Sequence, residues 1–334
     1  MDLRSSRPVP TATDHGPALD VHGAEPLLSR LELRVRNRLD GLLQGNYVGL
    51  VPGPGSEAGE SRPYTPGDDV RRMDWPVTAR TTVPHVRQTI ADRELETWLV
   101  VDLSPSMDFG TGLSEKRELV LAAISAVVHL TVGGGNRVGA LVSNGEQLTR
   151  VPALGGRSHA RYLIRKVAAT RRAESGSGPD LTAMLESLQR SPRRRGLVAV
   201  VSDFLDAPSA PRRVSSEPVP WERALRGLSL RHQLVGIEVL DPRELELPSA
   251  GLMTFVDPES GRELEVQTSS ASVRKDYAAA AQAQRAGIAT ALRHAGAAHL
   301  QLRTDRDWVE DVVRFVLTQR QIGIPGTTTS AAVR

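Results

Sequence analysis

The chain has 334 residues, enough for one large domain or two small ones. It contains no cysteine, which excludes disulfide bonds and thiolate metal sites, and its 40% of hydrophobic residues excludes a wholly disordered chain. The net charge of +3 provides no concentrated positive field, so we expect no nucleic-acid partner despite the 42 lysines and arginines.

The sequence shows no membrane-spanning segment and no secretory signal. The longest apolar candidate, Leu119 to Val132, is shorter than the roughly 18 residues of a spanning helix, and His129 interrupts it. The first residues contain no apolar run of the kind that a secretory signal needs. These features predict a cytoplasmic protein without a membrane span.

The N-terminal quarter changes character twice. Residues 1–25 are polar and without periodicity, and we expect them to be disordered. Apolar residues then recur at helical spacing from Leu27 to Leu43, which predicts an amphipathic helix that ends before Gly45. A turn-rich loop follows at 51–62. We assign residues 26–95 to an N-terminal extension.

The densest polar cluster of the chain lies in the segment YTPGDDVRRMDWPVTAR, residues 64–80. Arginine and tryptophan dominate interface hot spots, so the cluster is a possible partner-docking surface. Its residues are Asp68, Asp69, Arg71, Arg72, Asp74 and Trp75. The alternative is internal: Asp68 and Asp69 cap a turn, an arginine pairs with Asp74, and Trp75 fills the core. A strand is predicted next, at 84–90.

From residue 96 onward, apolar runs alternate with helical patterns. Strands are predicted at 96–102, 137–143, 197–202, 234–240 and 298–302, with a small hairpin at 252–256 and 263–267. Helices are predicted at 115–131, 158–168, 181–190, 221–229, 273–294 and 307–320. This alternation indicates an α/β domain over 96–320 with a doubly wound, mainly parallel sheet. We expect residues 321–334 to be a disordered tail.

A candidate metal site follows the first strand of this domain. Asp102, Ser104 and Ser106 alternate directly after the apolar run that ends in Asp102. Doubly wound sheets build ligand sites at the carboxyl ends of their strands. One carboxylate and two hydroxyls are hard oxygen ligands, and they suit Mg²⁺ with several retained waters. A second carboxylate, Asp203, ends a later apolar strand and is expected at the same edge.

The segments around this loop resemble a bacterial family. YTPGDDVRRMDWPVTART, VRQTIADRELETWLVVDLSPSMDFG, the Asp203 strand, Arg231-His232 and Asp241-Pro242 are similar to domain-of-unknown-function family number 58. The similarity covers roughly residues 30 to 320. It implies a Rossmann-like von Willebrand factor A domain with a metal-ion-dependent adhesion site, behind an N-terminal helix and strand extension. It also implies work with a MoxR-type AAA+ ATPase in assembly or metal insertion.

One position departs from the pattern that this resemblance implies. A-domain metal sites usually take a threonine from a second loop, just before a helix. Pro179 stands there and has no side-chain oxygen. Asp180 or Thr182 is then a weak candidate ligand, and the interpretation that we favour for Asp180 is that it only caps the helix at 181–190.

Three functions follow from these residues. The first is a non-enzymatic protein-binding module whose partner contacts the edge formed by Asp102, Ser104 and Ser106. The second, as an alternative, is a Mg²⁺-dependent hydrolase that uses Asp102 and Asp203. It lacks a visible base, nucleophile or phosphate loop. The third is nucleic-acid binding through arginines, which the low net charge disfavours.

Overall fold

The computed structural model describes residues 61–64, 73–87, 95–132, 136–173, 178–190, 194, 196–205, 219–258 and 260–323. Several sequence predictions lie outside these residues. They are the disordered 1–25 segment, the helix over 27–43, most of the 51–62 loop, and Asp68, Asp69, Arg71 and Arg72. No helix within the described ranges is long and apolar enough to cross a membrane.

The elements follow each other in a largely alternating order. The strands are β1 (Ser61–Pro63), β2 (His85–Arg87), β3 (Glu96–Asp102), β4 (Arg137–Ser143), β5 (Leu148–Gly155), β6 (Gly196–Ser202), β7 (His232–Leu240), β8 (Leu252–Val256), β9 (Glu263–Gln267) and β10 (Ala297–Arg303). The helices are α1 (Trp75–Thr81), α2 (Lys116–Thr131), α3 (Arg157–Ala168), α4 (Leu181–Gln189), α5 (Pro220–Ser229), α6 (Ala271–His294) and α7 (Trp308–Gly323). Short 3₁₀ turns cover Pro105–Met107 and Pro242–Glu244.

The central sheet has six strands in the order β10-β7-β6-β3-β4-β5. All neighbouring pairs are parallel except β4 with β5. The predicted α/β class with a doubly wound, mainly parallel sheet is therefore confirmed. Two small antiparallel sheets, β1 with β2 and β8 with β9, lie outside it.

Helices cover both faces of this sheet. Successive residues of a strand point to opposite faces, so each central strand contributes side chains to two apolar clusters. In β3, Leu99 and Val101 pack in one apolar cluster with α2, α3 and α7. Trp98 and Val100 pack in a second cluster with α4, α5 and α6. Since both faces are buried, β3 and β6 read as continuous apolar runs rather than as alternating patterns.

The strand order reverses between β3 and β6. From β3 the chain moves outward to β4 and β5, and it then returns to the other side of β3 to form β6, β7 and β10. Such a switch point opens a crevice at the carboxyl ends of the strands, where ligands bind in open α/β sheets. We call this end of the sheet the carboxyl edge. Asp102 and Asp203 lie on either side of its switch point.

Apart from shifts of one or two residues at the ends of several elements, four details differ from the sequence predictions. Strand β5 was not predicted, because Pro152 and the exposed residues around it do not resemble a buried strand; proline is tolerated there because β5 is an edge strand. Helix α1 was also not predicted, and it begins at Trp75 with Asp74 as its cap. Ser61 and Arg62 belong to β1 rather than to the 51–62 loop. Helix α7 continues to Gly323, so the expected disorder from residue 321 is wrong for 321–323.

Candidate functional site

Asp102 ends β3 with its carboxylate fixed by two hydrogen bonds. The backbone N–H of Ser104 donates to Oδ1 at 2.9 Å, and the hydroxyl of Ser202 donates to Oδ2 at 2.7 Å. Ser202 is the last residue of β6, so neighbouring parallel strands together orient this carboxylate. Asp102 is only 9% exposed, which leaves a narrow access to it.

The two predicted serines and Asp203 form one hydrogen-bonded chain at the switch point. The hydroxyl of Ser106 donates to Oδ2 of Asp203 at 2.8 Å. The Ser104 and Ser106 hydroxyl oxygens are 3.2 Å apart. The structure thus brings together Asp102, Ser104, Ser106 and Asp203, the four residues that the sequence placed at this edge.

The two carboxylates of this group have different electrostatic environments. Burial raises the pKa of Asp102 above its usual value, and repulsion from Asp203 raises it further. Burial also acts to raise the pKa of Asp203, but the ammonium of Lys116 outweighs this effect and holds that pKa below its usual value. Asp203 is therefore the firmly ionised member of the pair.

Lys116 is the site residue that sequence reasoning missed. Its Nζ donates to Oδ2 of Asp203 at 2.8 Å and to Oε1 of Glu244 at 2.7 Å, and its side chain is fully buried. Burial lowers the pKa of the lysine, but the two carboxylates outweigh that effect and raise it. One signal was present: Lys116 is one of only three lysines in the chain and lies shortly after residues 103–106, which we call the serine loop.

The ionic network continues behind Asp203. One guanidinium nitrogen of Arg285 donates to the backbone carbonyl of Asp203 at 3.1 Å and to Oε1 of Glu238 at 3.0 Å. Oε2 of Glu238 lies 2.8 Å from Nε2 of His299. Burial acts to raise the pKa of Glu238, but the hydrogen bond from His299 contributes to a net lowering. Arg285 on α6 is the member of this network that contacts Asp203, and Glu238 on β7 and His299 on β10 extend it across the sheet.

The second loop contributes differently from the serine loop. The carbonyl of Pro179 accepts a hydrogen bond from the hydroxyl of Ser143 at 2.9 Å. Asp180 caps α4, as its side chain accepts from the N–H of Ala183 at 2.8 Å. The hydroxyl oxygen of Thr182 is buried and has no hydrogen-bond partner among the described residues. The cap interpretation of Asp180 agrees with this geometry, and metal ligation by Asp180 or Thr182 stays a prediction.

The loop after the serines, Phe109–Ser114, presents apolar side chains at the carboxyl edge; we call it the apolar loop. Leu113 is 83% exposed and Phe109 is 42% exposed. The loop is nevertheless fixed, because the N–H and hydroxyl of Thr111 donate to Asp241 at 2.7 and 2.6 Å. The N–H of Leu113 also donates to the carbonyl of Thr304 at 2.7 Å.

Two residues of the predicted docking cluster lie within the described residues. Asp74 is buried, and its side chain accepts from the N–H of Val77 at 3.3 Å as the cap of α1. Trp75 is 66% exposed and does not fill the core. The internal alternative for Trp75 is therefore wrong, and its exposed ring agrees with a docking surface.

The candidate ligands meet only part of the coordination that a divalent ion requires. Asp102, Ser104 and Ser106 supply hard oxygen atoms near one point, as Mg²⁺ requires. Asp203, however, already accepts from Lys116, Ser106 and the N–H of Leu205. Within the described ranges, no three acidic or histidine side chains converge as they do in a metal centre.

Comparison with protein families identifies a match over most of the domain. The family described as a protein of unknown function, DUF58, matches residues 60–287. The chain belongs to the DUF58 family. This match spans the extension strands β1 and β2, the serine loop, Asp203 and most of α6.

Bacterial relatives are similar to this DUF58 chain. Uncharacterised proteins of Mycobacterium bovis and Mycobacterium tuberculosis are each 52% identical over 301 residues, which is 90% of this chain and 90% of each relative. An uncharacterised protein of Mycobacterium avium is 42% identical over 179 residues, 54% of this chain and 99% of its own length. None of their names states an activity.

Two solved structures resemble this DUF58 chain distantly. A conserved hypothetical protein, BatB, from Bacteroides thetaiotaomicron has 12% identity and a TM-score of 0.40, and 68% of this chain is covered. An aerotolerance-related membrane protein from Bacteroides fragilis has 14% identity and a TM-score of 0.44, also with 68% covered. Both matches cover 99% of the solved chain. With TM-scores this low, neither similarity supports a statement about function.

Proposed function

We propose that this DUF58 protein is a non-enzymatic, von Willebrand factor A-like binding module whose protein partner docks on the carboxyl edge. The observation that carries the proposal is the apolar loop. Leu113 and Phe109 are exposed on a loop whose backbone is hydrogen-bonded to Asp241 and Thr304. The loop is held at the carboxyl ends of β7 and β10, on the same edge of the sheet as the switch point where α/β folds bind their ligands.

The fixed backbone of the apolar loop matters for this proposal. A single exposed leucine is ordinary on a protein surface. A leucine on a hydrogen-bonded loop, however, loses little conformational freedom when a partner covers it, so more of the contact energy is retained as affinity. An apolar anchor within a polar surface is the usual composition of an interface centre and its rim.

As the partner we propose a MoxR-type AAA+ ATPase, acting with this protein in the assembly or maturation of other proteins. The family resemblance implies this class of partner. The exposed ring of Trp75 in the extension offers a second contact. Tryptophan is among the residues most enriched in interface hot spots.

Ligation of Mg²⁺ by Asp102, Ser104 and Ser106 stays a prediction, and the docking proposal does not require it. The alternative of a Mg²⁺-dependent hydrolase receives less support. It needs both carboxylates as ligands, whereas both oxygens of Asp203 already accept hydrogen bonds, Oδ1 from Leu205 and Oδ2 from Lys116. The proposed function therefore does not depend on chemistry at Asp203.

Two leucine variants test the proposed docking edge. Leu113 is 83% exposed on the apolar loop, and Leu230 is 82% exposed before β7, at the opposite edge of the sheet. The experiment measures co-purification of a MoxR-type ATPase from the same genome with wild type, Leu113→Asp and Leu230→Asp. We expect Leu113→Asp to lower recovery at least tenfold and Leu230→Asp to leave it unchanged.

Circular dichroism and thermal unfolding check that both variants fold like the wild type. Equal recovery with both variants, or no ATPase recovered with the wild type, would count against docking at this edge. Asp102→Ala adds an independent measurement, because it removes the carboxylate without changing the apolar loop. Loss of recovery in that folded variant would extend the interface to the serine loop.

A further inference from the structure

Lys116 carries its positive charge at a position where two effects, burial and the helix dipole, disfavour a cation. Its side chain is fully buried, and removing an ammonium from water is costly unless it is paired. It is also the first residue of α2, where the helix dipole is positive and repels cations. The contacts with Asp203 and Glu244 must therefore offset both costs.

The ammonium of Lys116 is held between two carboxylates, those of Asp203 and Glu244. Its Nζ lies 2.8 Å from Oδ2 of Asp203, and the same oxygen accepts the hydroxyl of Ser106. On its other side, Glu244 is held in turn, because its Oε2 accepts the backbone N–H of Asp241 at 2.9 Å. Lys116 thus links the serine loop to the turn that follows β7.

We propose that Lys116 is the resident cation of the carboxyl edge and makes the shape of this edge independent of divalent ions. The inference rests on the proposed function in one respect only, because it takes the carboxyl edge to be the docking surface. The ammonium neutralises Asp203 from within the protein. A divalent ion beside Asp203 would be repelled by that ammonium at close range.

The remaining ligands of the edge form a weak site for a divalent ion. Apart from Asp203, Asp102 is the one carboxylate among the candidate ligands that the structure brings together at this edge, and its hydrogen-bond donors, Ser104 and Ser202, are uncharged. Ser104 and Ser106 add only neutral hydroxyls. Because affinity for hard cations follows the number of charged ligands, we expect the wild-type dissociation constant for Mn²⁺ to be weaker than roughly 1 mM.

The first test uses the wild-type protein with Mn²⁺ alone as the probe. Isothermal titration calorimetry measures binding, and the melting temperature is compared in EDTA and in about 5 mM Mg²⁺. We expect weak or undetectable binding and the same melting temperature in both buffers. A micromolar dissociation constant, or a clear fall in melting temperature with EDTA, would overturn the proposal.

The second test removes the ammonium. In Lys116→Met, Asp203 loses its cation, so we expect Mn²⁺ to bind at least tenfold more tightly and to raise the melting temperature. Lys116→Met combined with Asp203→Asn removes both charges; it is expected to fold and to bind Mn²⁺ as weakly as the wild type. Lys166→Met is the matched control, because Lys166 is exposed on α3.

The outcomes separate this inference from the proposed function. If folded Lys116→Met gains no Mn²⁺ affinity, Lys116 does not set the ion dependence, whatever the partner does. If Lys116→Met does not fold without ions, its recovery by Mn²⁺ would support the inference, and failure of Mn²⁺ to recover it would contradict it. Co-purification of the ATPase in EDTA is a separate measurement, and its failure in every buffer would contradict the docking proposal alone.

Discussion

At the scale of single residues, Asp102 and Asp203 show how one buried cation separates two similar carboxylates. Asp102 is the last residue of β3, Asp203 directly follows β6, and each is almost fully buried. Of these two carboxylates, Lys116 contacts only Asp203, so the pKa of Asp203 falls while burial and repulsion raise that of Asp102. The ionised form of Asp102 is therefore the less stable of the two in the folded protein.

Asp102→Asn is expected to stabilise the protein at neutral pH. The folded-state pKa of Asp102 lies above its unfolded value of about 3.9, so ionisation costs the wild type stability as the pH rises from the unfolded to the folded pKa. Below both pKa values the carboxyl is neutral in both states, and the advantage of the variant disappears. Urea unfolding midpoints between pH 4 and pH 8, measured in EDTA, test this pH dependence.

Asp180→Asn serves as the control for that prediction. Asparagine caps helices as well as aspartate does, so we expect the stability to stay within about 0.5 kcal/mol of wild type. An equal midpoint for wild type and Asp102→Asn at pH 8 would show that burial and repulsion at Asp102 cost no stability.

The sequence allowed part of this site to be predicted. Asp102, Ser104 and Ser106 lie within five consecutive residues after an apolar strand, and Asp203 follows a similar strand, so topology alone places them together. Lys116 was missed because its partners Asp203 and Glu244 are 87 and 128 residues away along the chain. No local sequence pattern indicates which buried acidic residue pairs with which buried basic residue.

At the scale of elements, the apolar loop depends on close approach of its backbone to β10. A Cβ atom added to Gly112 would lie 2.5 Å from the backbone carbonyl carbon and oxygen of Thr304. Any side chain at this position therefore displaces the loop from the carboxyl edge. The glycine is required by space rather than by backbone conformation.

Gly112→Ala is expected to destabilise the protein by about 1–3 kcal/mol, the usual cost of an overpacked site. It should also lower co-purification of the ATPase, because Leu113 moves with the loop. Gly287→Ala is the matched control: nothing lies within 4 Å of the added Cβ, and alanine is the better helix former by about 0.5–1 kcal/mol. Chemical unfolding of both variants measures the difference, and an unchanged Gly112→Ala would contradict the close contact.

Elements were predicted best where packing agrees with local pattern. The bounds of β3, β4, β8 and β9 match the sequence prediction because each is a short apolar or alternating run between turn residues. Strand β5 was missed because it is half exposed at the sheet edge and contains Pro152. Its pairing with β4 is a tertiary contact that local propensity does not encode.

At the scale of the whole molecule, the folded core extends beyond the family match. The DUF58 match ends at residue 287, yet β10 pairs with β7 along seven residues, and α7 packs in the same cluster as β3 and α2. The segment after residue 287 therefore completes the domain rather than following it as an appendage.

Val316→Ala is expected to destabilise the protein by about 2 kcal/mol, from two buried methyl groups and the cavity that they leave. Val316 is 4% exposed in α7, whereas the adjacent Leu317 is 45% exposed. Leu317→Ala should change stability by no more than about 0.5 kcal/mol. Thermal unfolding of the two variants compares them, and similar effects would contradict the packing of α7 against the sheet.

The contact of Lys116 with Asp203 and Glu244 also has a consequence for how this protein changes over evolutionary time. Loss of one member leaves an uncompensated buried charge, whereas joint replacement by apolar or neutral residues is well tolerated. Mutations that alter the three positions one at a time must therefore cross an unstable intermediate. We expect the triad to be inherited as a unit, with neutral residues at position 116 in relatives accompanied by neutral residues at 203 or 244.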